Sequence, residues 1–138
     1  MSVVVELRLQ FPPFPERMGD HAALIIEPTL RLTGRTLDYS AGSLTVVDHI
    51  LNNFHAEGTP SEQIGETLFA FGAYLGEVLV RSTWGTWTRL PPDHPLDASW
   101  PVVQVREGSL CNPIGKVFKR VDNGEVDSIT HFFTVFAE

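Results

Sequence analysis

Residues 60–82 place apolar side chains around most of the girth of one long helix, and that limits the folds open to the chain. Ile64, Leu68, Phe71, Leu75 and Val78 recur at three- and four-residue spacing, the period of one helix face. Phe69, Ala70, Ala73, Tyr74 and Leu79 fill the flanks, so this helix needs cover on several sides and belongs at the centre of the molecule. Gly65, Gly72 and Gly76 each cost it roughly 1 kcal/mol of helix propensity. That cost predicts close approach of another backbone. Thr59-Pro60-Ser61-Glu62 reads as the start, a capping-box pattern with proline in the first turn.

A second helix precedes it. Leu44, Val47, Leu51 and Phe54 define an apolar face, with Asp48, Asn52 and His55 elsewhere on the surface. Asp38 or Ser40 can cap this helix and Gly58 stops it. The link between the two is short, which predicts an antiparallel helical hairpin.

Strand signals flank the helices. Val5, Leu7, Leu9 and Phe11 alternate with Glu6, Arg8 and Gln10, the period of a strand with one buried face. Pro12, Pro13 and Pro15 end that run, and 12–23 reads as an irregular connection. Residues 24–26 and 30–37 read as short strands, with Gly34 at a bulge or an end. Thr86–Leu90, Trp100–Arg106 and Leu110-Cys111 supply further strands. Two short helices close the chain, one opened by Pro113 and broken at Asn123-Gly124, the other capped by Asp127 or Ser128. A chain of 138 residues holds one core, so 1–138 is a single domain. The order of elements predicts an α+β fold: a helical hairpin packed on a small, mainly antiparallel sheet, with short C-terminal helices.

Charge and cysteine content narrow the chemistry. Asp and Glu total 17 against 10 Lys and Arg, a net charge of −7. Such a chain repels a phosphate backbone unless a basic patch is concentrated somewhere, so nucleic acid is disfavoured as a ligand. Cys111 is the single cysteine, which excludes an intramolecular disulfide and a four-thiol zinc site and fits a reducing cytoplasm. It reads as a small buried apolar residue rather than a nucleophile. No apolar run reaches the length of a membrane span, so no membrane partner is expected. The N-terminus carries charges inside its apolar stretch and does not read as a signal peptide.

Several of these segments look familiar as a set. Leu37-Asp38-Tyr39-Ser40 precedes one helix, and Gly72-Ala73-Tyr74-Leu75-Gly76-Glu77 lies within the next. Gly85-Thr86-Trp87 follows, then Asn112-Pro113, Lys116 to Arg120, Asn123-Gly124 and Asp127 to Phe133. The set, spanning about residues 37–136, resembles an uncharacterised bacterial domain-of-unknown-function family. The resemblance implies a fold and no activity. Residues 1–30 lie outside it and read as an added N-terminal strand segment.

The search for chemistry is mostly negative. No zinc-binding His-Glu-X-X-His helix, Gly-X-Ser-X-Gly elbow or phosphate loop is present. No two of His21, His49, His55, His94 and His131 share a helix face at i, i+4. No catalytic residue, metal ligand or cofactor is therefore assigned. The binding candidates are Glu77, Arg81, Trp87, Lys116, Lys119 and Arg120. Glu77 and Arg81 form either a plain i, i+4 pair or one wall of a cleft with Trp87. Lys116, Lys119 and Arg120 form a basic stripe at helical spacing. Asp48 to Glu77 carries five acids and no Lys or Arg, so the charge is segregated. Trp84, Trp87 and Trp100 read as core in preference to a ligand platform. The expectation is a cytoplasmic, non-enzymatic protein-interaction domain, with an immunity- or inhibitor-like role as one form. A homo-oligomer stays open. The alternative is a small-ligand binder or enzyme with a cleft between hairpin and sheet.

Overall fold

The long apolar helix runs Gly65–Thr83 (α4) in the computed structural model, which describes residues 9–96 and 98–137. Leu68, Phe69, Ala73, Tyr74, Leu75, Val78 and Leu79 are fully buried on it, and Phe71 nearly so. Its cover comes mainly from Met18–Ala23 (α1) on one side and Pro113–Asn123 (α5) on another. The glycines explain the second contact. A Cβ added at Gly72 would stand 2.6 Å from the Ile114 backbone, so α5 meets α4 where α4 has no side chain. The capping box is not formed. A 3-10 turn over Ser61–Ile64 starts from an extended Pro60 and has no side-chain cap, and this moves the start of α4 to Gly65.

The preceding helix spans Leu44–Ala56 (α3). Ser40 accepts the Ser43 N–H at 3.2 Å and caps the 3-10 turn that leads into it. Leu44, Val47 and Leu51 face the core, and Gly58 ends the helix in a left-handed conformation. The hairpin is splayed. α3 packs mainly on α5 and on Ile129–Ala137 (α6), and its backbone approaches α4 closely at few points. α5 sits against both long helices because α4 offers it a glycine-lined seat.

Three short strands form an antiparallel sheet in the order β1-β2-β3: Thr86–Thr88 (β1), Val102–Gln104 (β2) and Leu110–Cys111 (β3). Trp87 pairs with Val103, and Val103 with Cys111. Of the two long helices, α4 is the one that carries this sheet. The fold is α+β. α5 is capped by Asn112, whose side chain accepts the Gly115 N–H at 3.0 Å, and Ser128 accepts from the His131 N–H at the start of α6.

The N-terminal third differs from its reading as strand. Val5 and Leu7 lie outside the described residues, while Leu9 and Phe11 are in no strand. Residues 24–26 and 30–37 are not strands either. The chain forms a 3-10 turn at Pro15–Arg17, then α1, then a helix over Ile26–Thr33 (α2) that Gly34 caps. Met18, His21, Ala22, Ile25 and Thr29 are buried at three- and four-residue spacing, a helical stripe that crosses the boundary set at residue 23. Leu30 and Leu32 point to solvent, so they never formed the buried face of a strand. Pro28 falls in the first turn of α2, where it removes no needed donor.

Candidate functional site

Glu77, Arg81 and Trp87 do come together. α4 sets Glu77 and Arg81 one turn apart, and β1 returns Trp87 against the same stretch of helix. The Trp87 Nε1–H donates to Glu77 Oε2 at 2.9 Å. Arg81 Nη2 lies 3.9 Å from the other carboxylate oxygen, and its guanidinium stacks 3.6 Å from the Tyr39 ring centroid. Tyr39 in turn stacks on Tyr74 and donates its backbone N–H to the Tyr74 hydroxyl at 2.8 Å. Ser43 shares that hydroxyl at 2.6 Å. Both oxygens of Glu77 are thus engaged within the protein. The group is a strut that fastens β1 and the 38–43 turn to α4.

Lys116, Lys119 and Arg120 do not form a surface stripe. Arg120 is 1% exposed and faces inward. Its Nε donates to Asp48 Oδ1 at 2.7 Å, and its Nη2 donates to Asn52 Oδ1 at 3.1 Å and to Glu125 Oε2 at 3.4 Å. Asp48 also accepts from the Ile129 N–H, so this junction joins α3, α5 and the start of α6. Lys116 donates to Asp127 at 2.7 Å. That bond, with one from Asn123, holds the Asp127 carboxyl below the usual range. Lys119 is left as the exposed member. The reason lies in the period: positions 116 and 120 share the side of α5 that meets its neighbours, and 119 does not. Among the described residues no hydrogen bond or ion pair joins this group to Glu77, Arg81 and Trp87. The six residues make two separate structural junctions.

The acidic hairpin is altered in the same way. Asp48 and Glu77 are spent on internal partners, leaving Glu57, Glu62 and Glu66 exposed around the α3–α4 link. The other single residues take structural places. Cys111 is buried and its thiol is pushed up to about 12 by burial. His21 is buried between Phe11 and Phe69, and the His55 Nδ1 lies 2.7 Å from the Val121 carbonyl. Among the described residues, no three His, Cys, Asp or Glu side chains gather in a group able to hold a metal ion. No described helix is long and apolar enough to cross a membrane.

Trp84 also departs from its reading as core. Trp87 and Trp100 pack on the core, but Trp84 is 81% exposed. It ends α4 in the left-handed region, with φ 57° and ψ 35°. Glycine normally takes that position, and Gly85 is next in the chain. Gly85 is needed where it is, since a Cβ there would stand 2.6 Å from the Gln104 carbonyl of β2. The left-handed residue is thus not that glycine but Trp84, and its indole is largely exposed at the end of the helix. Beside it lies an open groove of about 560 Å³, lined by Thr83, Trp84, Val105, Arg106, Glu107 and Phe136. α6 continues the apolar surface: Phe132 and Phe136 are half-buried with ring centroids 5.0 Å apart, and Val135 is exposed. The Trp-Gly pair at the end of an apolar helix and the run of phenylalanines near the C-terminus were the available signals.

No family model, no curated protein and no solved structure matches this chain.

Proposed function

We propose that this protein works by binding another protein, without catalysis, and that Trp84 is the centre of the binding face. The observation that carries this reading is an exposed tryptophan held in a left-handed conformation beside an open groove. A bulky residue in that region costs about 1–2 kcal/mol, and strain of this kind tends to collect at functional positions. Tryptophan in turn is enriched among the few residues that dominate protein interfaces. A cytoplasmic setting is part of this proposal, and the single cysteine, buried and free, is in keeping with it.

The Trp84 face is preferred to the acidic hairpin as the contact surface. An immunity- or inhibitor-like protein covering a basic partner would draw on Asp48 and Glu77, and both are already paired inside the fold. The small-ligand alternative is weakened at Glu77, whose two carboxylate oxygens both face protein partners, while Arg120 engages Asp48 and Asn52 through Nε and Nη2 and leaves only Nη1 without a partner among the described residues.

The test uses the tagged wild-type protein and its Trp84→Ala variant as parallel baits. Proteins held by the first and lost by the second, with at least a tenfold change in Kd on purified material, support the reading. Identical sets on both baits, together with a metabolite that raises the melting temperature of both, would sink it.

A further inference from the structure

We infer that the face around Trp84 docks a second copy of this chain across a two-fold axis; the inference rests on the reading of Trp84 as a protein-contact residue. A two-fold interface must be self-complementary, since the same patch meets itself. This patch holds a projection and a hollow side by side. The Trp84 indole stands out into solvent, and the groove next to it has mixed walls, with Thr83, Arg106 and Glu107 polar and the half-buried Phe136 ring apolar.

Charge at the groove selects the occupant. Arg106 and Glu107 are adjacent, exposed and of opposite sign, and among the described residues neither makes an ion pair. A basic partner would meet Arg106, and an acidic one would meet Glu107. A surface that offers a carboxylate and a guanidinium in the reverse order satisfies both. A two-fold copy offers that order by construction, with Arg106 facing the partner's Glu107 and Glu107 facing the partner's Arg106. Among the described residues that line the groove the two charges cancel, on a chain of net charge −7. Repulsion between the remaining charges of two copies is screened beyond about 8 Å at physiological ionic strength.

The apolar area extends past the groove. An aromatic side chain such as Trp84 contributes about 150–250 Å², while a standard interface takes about 800 Å² from each partner. The half-buried Phe132 and Phe136 rings and the exposed Val135 continue the surface along α6.

Sedimentation of the full chain from micromolar to millimolar concentration tests this. The expected result is a doubling of the 15.3 kDa mass, with the dimer Kd raised at least tenfold by Trp84→Ala. Arg106→Glu alone and Glu107→Arg alone should each weaken the dimer. The double exchange should restore it, because reversed charges still pair across a two-fold axis. Trp84, Arg106 and Glu107 are exposed, so each variant should stay folded, which circular dichroism checks. A chain that is monomeric throughout overturns the second-copy assignment, and protein binding lost with Trp84→Ala would leave the wider reading standing. A dimer indifferent to Trp84→Ala, or single charge reversals that the double exchange does not rescue, overturns the assignment of this face.

Discussion

The six-membered ring of the Trp87 indole sits against α4 where Gly76 leaves room for it, and the indole N–H reaches the Glu77 carboxylate at 2.9 Å. One residue therefore holds β1 to α4 by ring packing and by a hydrogen bond. Trp87→Phe keeps most of the ring and removes the donor. The Glu77 side chain is only 15% exposed, so water replaces that donor poorly. Urea denaturation should show a loss of about 1–3 kcal/mol at an unchanged m-value. A midpoint equal to wild type would mean that the bond contributes nothing.

Gly72→Ala improves helix propensity by roughly 1 kcal/mol and should still destabilise the protein. Its Cβ would meet the Ile114 backbone, which cannot rotate out of the way as a side chain can. Overpacking of this kind typically costs about 1–3 kcal/mol. Gly42→Ala serves as the comparison, since the atom its Cβ would meet is the Ser40 hydroxyl at an ordinary contact distance of 3.8 Å. Thermal melts should separate the two, with Gly42→Ala near wild type and Gly72→Ala several degrees lower.

How far the sequence reached is clear from particular residues. The period of Leu44, Val47 and Leu51 and the all-round apolarity of α4 marked both long helices, and β-branched and aromatic residues between proline and glycine turns marked the three strands. Leu24-Ile25-Ile26 misled because a short apolar run fits a strand or a helix equally well, and the register with Met18 and Ala22 that decides it lies outside the run. Arg120 was taken for surface because it is charged. Its place within the apolar side of α5 only makes sense once Asp48 and Asn52 arrive from α3. Trp84 was taken for core because it is large and apolar, whereas it stands 81% exposed as the left-handed residue that ends α4, a position that no local apolar pattern records.

The Arg120 junction should be among the most sensitive sites in the chain. Removing one partner of a buried ion pair strands the other, at a typical cost of about 3–5 kcal/mol. Arg120→Met is expected to fall in that range by chemical denaturation. Arg120→Lys should recover little, because an ammonium cannot reproduce the fork that spans Asp48 and Asn52. A fully stable Arg120→Lys protein would contradict this account.

The chain has two tyrosines, and burial raises the pKa of both; Arg81 opposes the shift at Tyr39 and the Ser43 hydrogen bond opposes it at Tyr74. An ultraviolet titration should show less tyrosinate in the folded protein than in the unfolded chain at the ordinary phenol pKa of about 10. The sign of the linkage follows: the unfolded chain ionises first, so stability is intact below about pH 10 and falls as pH rises toward the native values. Tyr74→Phe should cost about 1–2 kcal/mol, since it withdraws the acceptor of the Tyr39 N–H.

Cys111 gives a simple probe of the native core. With its thiol pushed up to about 12 and its side chain buried, it should resist alkylation at about pH 8 and react at once in denaturant. Because the unfolded thiol ionises first, stability should fall as pH climbs above about 9. Rapid labelling of the folded protein would place this sulfur at the surface.

The seat that Gly72 makes for Ile114 also bears on biosynthesis. The central helix leaves the ribosome well before the segment that covers it, so the nascent chain carries an incomplete core until α5 follows. Folding then closes late and in one step, and a fragment ending before residue 113 should bind chaperones and hydrophobic dyes rather than settle as a stable subdomain. A cooperative melt from such a fragment would show that the first four helices suffice without their last cover.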